Sequence, residues 1–322
     1  MKLEDYQIQI PSKVADAETF DKEKWREETP IDYFKMAAIL NRVDNTLPID
    51  EAFTAAFDVM YKVTRLYIPD SLYKFFSLSD EEESNEKRFR TLENSKLFLS
   101  EVSSFNDPFD CRAYYYDPSQ LMKYDWLSEY NGRLFDNPSS YLRVASLTQN
   151  DPSSLPMWAH YASNHRGYCV SYKISENPDL STLSYPVQYT DKRIDITRFV
   201  DHRAQLLTNL DRRSIPTDGV NSPVRSIALP MVYLVMVLSS LKHSSWSYER
   251  EFRCLASTRS PGMPYIYAKA SEIYIGINCK KENVDRLYQI GEKLGVPVYQ
   301  MRFDEMSPDY QLSKTPDKTT AK

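Results

Sequence analysis

Glycine is scarce in this chain: 7 of 322 residues, roughly 2% against a usual ~7%. None lie close enough together to form a G-x-G-x-x-G or Walker loop. Any nucleotide is therefore held by something other than a glycine-rich phosphate cradle. Cysteine is sparse as well. Cys111, Cys169, Cys254 and Cys279 are scattered and make no C-x-x-C pair, so neither a zinc ribbon nor a dithiol redox motif is signalled. Reduced thiols are expected, with Cys169 and Cys254 serving as small apolar side chains inside strand-like runs. The four histidines include no H-E-x-x-H arrangement, and no metal site is expected.

An excess of one charge sign is missing too. Forty basic against forty-five acidic residues leave a formal charge of −5, so no global positive field draws the chain to nucleic acid or anionic lipid. The opening MKLEDYQIQIPSKVADAE carries charges throughout and no apolar h-region, unlike a secretory signal, and a cytoplasmic location is expected. Long apolar runs are absent: Ile227 to Leu241 spans about fifteen residues and contains Pro230, short of the roughly 20 needed to cross a bilayer. It reads as a buried helix, and no membrane partner is expected.

What the chain does contain is enough apolar material, 42% hydrophobic, to build a sizeable core. Residues 1–68 read as an N-terminal helical extension. Ala52, Phe53, Ala56, Phe57, Met60 and Val63 recur at helical steps between Pro48 and Pro69, and an earlier helix is expected over Ile31 to Arg42. Residues 69–305 read as an α+β domain: a mixed, mainly antiparallel sheet core with flanking helices. Its strands are SLYKFFSL, KLFLSE, YLRVASLTQ, GYCVSYKI, Tyr185 to Tyr189, Ser247 to Ala256, YIYAK, EIYIGIN and VPVYQMRF. Its helices are SNEKRFRTLEN, Asp117 to Leu134, SSLPMWAHYASNH, Thr197 to Arg212 and KENVDRLYQIGEKLG. Strands and helices alternate too irregularly for a doubly wound sheet. Residues 306–322 read as a polar, frayed tail.

Three blocks carry possible chemistry. FNDPFD, residues 105–110, is a dense turn signal: Asn106 and Asp107 can cap their own backbone, and Pro108 fixes φ. Either that structural job accounts for it, or Asp107 or Asp110 stands at the mouth of a cleft. In MWAHYASNHRGYC, helical spacing puts Trp158 with Ala162 and Tyr161 with His165. His160 and His165 are not four apart and make a poor metal pair, so the block reads as a packed aromatic helix or as a base-stacking platform. In SSWSYEREFRCLAS, strand alternation puts Glu249, Glu251 and Arg253 on one face. Two like charges about 7 Å apart need a reason. A salt-bridge ladder through Arg253 and a catalytic dyad are equal readings of it.

Together with LYKFFSL, KLFLSEVSSFNDPFD and EIYIGIN, these blocks resemble a bacterial family known as domain of unknown function twenty-nine seventy-one, over about Leu72 to Phe303. The order of early strand, helix, strand and late E-x-E also resembles ADP-ribosyltransferases, more distantly. That resemblance implies NAD as substrate, Glu251 as the principal carboxylate facing the charge that develops as nicotinamide leaves, and Glu249 orienting or deprotonating an acceptor. It implies Tyr73 or Lys74 at the early-strand position, where those enzymes usually have Arg or His. Asn106, Asp107, His160, Tyr161 and His165 would line the nucleotide, with the aromatic platform at His160 or Tyr161. A toxin or phage-defence role follows from resemblance alone, with the acceptor unspecified and the N-terminal helices free to bind a partner. Two other classes stand beside it. One is a metal-dependent phosphodiesterase or nuclease using Asp107, Asp110, Glu249, Glu251 and His160; the other is a non-catalytic sensor with a tyrosine-rich surface.

Overall fold

The computed structural model describes residues 22–37, 61–124, 142–198, 201, 205, 235–258, 260 and 262–315. From the N-terminus the described strands are β1 (Ser71–Phe76), β2 (Lys96–Phe98), β3 (Ser100–Glu101), β4 (Tyr114–Tyr115), β5 (Leu142–Thr148), β6 (Tyr168–Lys173), β7 (Ser184–Pro186), β8 (Gln188–Thr190), β9 (Ile194–Asp195), β10 (Leu241–His243), β11 (Glu251–Ser257), β12 (Tyr265–Tyr267), β13 (Glu272–Ile275), β14 (Val298–Phe303) and β15 (Leu312–Lys314). The chain divides into two compact units. The first holds the described residues of Met1–Tyr67, Glu101–Leu142 and Pro186–Trp246; the second holds those of Ile68–Ser100, Arg143–Tyr185 and Ser247–Lys322.

The second unit is organised by one sheet with the strand order β15-β14-β13-β6-β1-β5-β11-β7, β3 joining at β5. β1 pairs antiparallel with β6 on one side and with β5 on the other, Tyr73 standing opposite Ser171 and Thr148. β6 pairs antiparallel with β13, β13 runs parallel to β14, and β15 closes the edge antiparallel to β14. The sheet is thus mixed and mainly antiparallel, and with its flanking helices makes the α+β architecture expected from sequence. β6 is buried from Tyr168 to Tyr172, as befits a central strand whose residues YCVSY are mostly apolar or aromatic.

Both faces of this sheet are covered. On one, Leu72, Val170, Ile273 and Val298 pack with Phe89 and Leu92 of the Glu82–Glu93 helix and Leu287 and Ile290 of the Lys281–Leu294 helix. Arg286 joins these two helices through Glu86 and Glu93, at 3.3 and 3.2 Å. Gly291 permits the second helix to sit close, because a Cβ there would lie 2.1 Å from Val298 Cγ2. Gly295 ends that helix at φ +66°, the left-handed position a C-terminal glycine suits. On the other face Phe75, Cys169, Tyr274 and Met301 pack against Met157 and Trp158 of the Leu155–Tyr161 helix. Pro156 occupies that helix's first turn, and Trp158 Nε1 donates to Pro152 O at 2.8 Å.

In the first unit the helices Lys22–Glu28 and Tyr33–Ala37 and helical residues 61–66 accompany two short parallel ladders, β10 with β8 and β4 with β9. Trp25 packs on Tyr67 at 5.1 Å, and buried Tyr33 donates its hydroxyl to Pro186 O.

Several expectations change. The strand expected over Ser247 to Ala256 begins only at Glu251; Ser244–Glu249 is a 3-10 helix, and Arg250 at φ +45° turns the chain between them. Tyr185 to Tyr189 splits into β7 and β8, which join different sheets. Within Asp117 to Leu134 only Pro118–Leu121 is a described helix, a 3-10 turn capped by Asp117. Leu312–Lys314, expected frayed, is a strand because β14 offers it an open edge. The Ile31 to Arg42, Pro48 to Pro69 and Thr197 to Arg212 helices and the apolar run from Ile227 lie partly outside the described residues. Among those described, no helix is long and apolar enough to cross a membrane.

Candidate functional site

The Glu249 and Glu251 carboxylates stand at the turn that leads into β11. That turn is held from the end of β5. Thr148 Oγ1 donates to Glu249 O at 2.5 Å, Gln149 N to Arg250 O at 3.1 Å, and Asn150 Nδ2 to Tyr248 O at 2.7 Å. The T-Q-N run was not singled out in the sequence, because its polar side chains gain a task only once β5 lies beside β11.

Both carboxylates are 4% exposed, and each has a different partner. Tyr161 Oη donates to Glu249 Oε1. Arg253 grips Glu251 through two bonds, Nε to Oε1 at 2.9 Å and Nη2 to Oε2 at 3.2 Å, and is itself 0% exposed. The fork geometry suits a carboxylate and fixes the direction of Glu251. Burial first, then the bond to Glu249, pushes the Tyr161 hydroxyl far above the usual phenol range, with Glu251 adding to it. Tyr161 therefore stays a donor.

Side-chain direction separates the two early-strand candidates. Leu72 and Phe76 of β1 pack on the face shared with Phe252, Cys254 and Ala256 of β11, whereas Tyr73 packs on the opposite face with Phe75, Trp158 and Tyr161. Alternation places Lys74 with the first group and Glu251 and Arg253 with the second. Tyr73, not Lys74, shares the carboxylates' side of the sheet. Lys74 donates to Ser146 O at 2.8 Å, and its amine is pulled down to about 8 by burial, against an opposing pull from Glu251. The Tyr73 hydroxyl is pushed up by burial and by Asp151 and Glu272.

His160 lies exposed between the rings of Tyr161 and Tyr248, at 6.4 and 6.1 Å. His165 does not share a helical face with Tyr161. The helix stops at Tyr161, and three consecutive left-handed residues, Ser163, Asn164 and His165, fold His165 back onto Trp158 at 6.1 Å. Burial lowers its imidazole pKa. Asn106 and Asp107 belong to the first unit. There Asn106 is exposed, and buried Asp107 accepts from Phe109 N at 2.8 Å, the self-capping turn expected of N-D-P, while lining a cavity of about 400 Å³ with Arg193 and His243.

The second unit thus brings Glu249, Glu251, Tyr161 and His160 together at the start of β11; Tyr73 lies on the same side of the sheet with Asp151 and Glu272 as its charged neighbours, and Lys74 reaches Glu251 electrostatically. Such an arrangement can fix two carboxylates of different character in a water-poor setting, one bound by a neutral hydroxyl and one by a cation. Among the described residues no three His, Cys, Asp or Glu side chains converge as a metal site.

No curated protein and no solved structure matches the chain. Residues 157–254, a shorter stretch than the sequence blocks span, match the family described as Protein of unknown function (DUF2971), and the matched segment carries Tyr161, both glutamates and Arg253.

Proposed function

We propose that the carboxylate site of the second unit is an NAD-binding, ADP-ribosyltransferase-like centre. One observation carries the reading: Tyr161 of the aromatic helix bonds Glu249 at the end of the 3-10 helix, and two residues on, at the head of β11, Glu251 is held by Arg253. NAD would supply the ADP-ribosyl group and nicotinamide as its leaving group. Arg253 fixes Glu251 in direction, and a carboxylate preorganised in this way is what stabilisation of a developing cation requires. Tyr161 gives Glu249 a neutral hydroxyl partner, and a ribose or acceptor hydroxyl is chemically able to take its place. His160 and Tyr248 offer an aromatic platform beside them.

Calorimetry with NAD in the presence of a chelator, followed by assay of nicotinamide release, tests the reading. Metal-independent binding and release that Glu251→Gln abolishes is the expected result. No NAD binding at millimolar concentration, or release unchanged in both Glu251→Gln and Glu249→Gln, would overturn it.

A further inference from the structure

A concavity in the second unit contains neither glutamate. It measures about 280 Å³ and opens between β1, β2, β6 and the Glu82–Glu93 helix, with Phe76, Arg88, Lys96, Phe98, Tyr168 and Tyr265 in its wall. The volume lies near the lower end of small-molecule pockets.

Three features of it are unexplained by folding. Tyr168 is 0% exposed, yet its hydroxyl has no hydrogen-bond partner. A phenylalanine would pack equally well against Phe76, whose ring stacks on it at 4.8 Å and 9°. Second, two cations in this wall have no carboxylate within ion-pair distance among the described residues. Arg88 bonds only to the carbonyl and hydroxyl of Ser84, at 3.1 and 2.6 Å, and Lys96 stands 5.8 Å over the Tyr265 ring. Lys87, by contrast, already holds Glu83 at 2.9 Å. Third, Phe98 and Tyr265, cross-strand neighbours on β2 and β12, stay 43% and 38% exposed with their rings edge to face at 5.4 Å. An orphaned hydroxyl donor, two uncommitted cations and an open aromatic pair match an anion joined to a flat ring.

We propose that this cavity binds a nucleoside phosphate, its phosphate held by Arg88, Lys96 and the Tyr168 hydroxyl and its base lying against Phe98 and Tyr265. The ligand is either a free mononucleotide or the end of an oligonucleotide. The site stands independently of the NAD reading, since it uses none of the same residues.

Calorimetry on the full chain with AMP, adenosine, inorganic phosphate and a five-nucleotide oligoadenylate tests it. AMP is expected to bind, and adenosine and phosphate each at least about tenfold more weakly. Oligoadenylate binding tighter than AMP identifies a strand end as the source; equal or weaker binding identifies the mononucleotide. Tyr168→Phe is expected to keep or raise the melting temperature while weakening AMP about tenfold, and Arg88→Gln to weaken it at least as much. Glu251→Gln should leave AMP binding intact, so failure of the transferase reading and failure of this one are distinguishable. Absence of AMP binding at millimolar concentration, or identical binding by the parent, Tyr168→Phe and Arg88→Gln, would overturn the proposal. So would a large loss of stability in Tyr168→Phe, because the hydroxyl would then have a structural role.

Discussion

Arg253 is the residue on which the carboxylate site turns. It is completely buried, and its two bonds to Glu251 offset the desolvation of both charges only while the pair is intact. Arg253→Met is therefore expected to lower unfolding free energy by about 3–5 kcal/mol, with Glu251→Gln on the same background recovering much of it. Urea titrations of the two singles and the double measure this; strictly additive losses would show that the pair is not the source. Lys74 supplies a pH test. Its pKa is 10.5 when unperturbed and about 8 in the fold, so between those values the unfolded chain binds more protons and stability rises with pH. Below about pH 8 both states are protonated and the penalty is constant. The stability difference between Lys74→Met and the parent should shift toward the parent as pH is raised from about 7 to about 10. Denaturant unfolding at the two pH values reads it directly, and a pH-independent difference would contradict the assigned direction.

At the scale of elements, close approach of backbones fixes where the aromatic helix hands over to the sheet. Gly276 N donates to Gly167 O at 2.9 Å and Asn278 N to His165 O at 2.9 Å. A Cβ on Gly276 would lie 2.2 Å from His165 O, which is backbone and cannot swing away. Gly276→Ala is expected to cost about 2–3 kcal/mol. Gly295→Ala meets no atom within 4 Å and faces only a positive φ, so about 1 kcal/mol is expected. Thermal melts of both should preserve that order. The Glu82–Glu93, Leu155–Tyr161 and Lys281–Leu294 helices and most strands were legible because their signals are local: Pro156 in a first turn, Gly295 past a last one, alternation in SLYKFF; the short helices Lys22–Glu28 and Pro178–Leu183 were not read. The start of β11 was not. Alternation in S-W-S-Y-E-R-E-F-R suits a strand throughout, and the 3-10 turn before Glu251 is held by Thr148 and Asn150, about a hundred residues away.

For the whole molecule, neither unit is a continuous stretch of chain. The family-matched segment, residues 157–254, contains β6 and the first part of β11, yet in the sheet these two are separated by β1 and β5, which lie outside it. Expressed alone, that segment is expected to lack a cooperative fold, because β6 is left without both its neighbours, β1 and β13. Far-UV circular dichroism and amide dispersion in NMR spectra would settle this, and a cooperative melt of the fragment would refute it.

By itself the sequence determined the chemistry available: a nearly balanced charge, too few glycines for a phosphate loop, no zinc spacing, and an E-x-E followed by an arginine. It also determined that two like charges beside each other needed a partner, and Arg253 was the visible one. Only the tertiary structure decided that Arg253 takes Glu251 while Tyr161, 88 residues earlier, takes Glu249. It alone put Tyr73 rather than Lys74 on their side of the sheet. The physical reason is that propensity, caps and alternation act over a few residues. Which strand lies beside which is set instead by the burial of two opposite sheet faces, a property that no single segment carries.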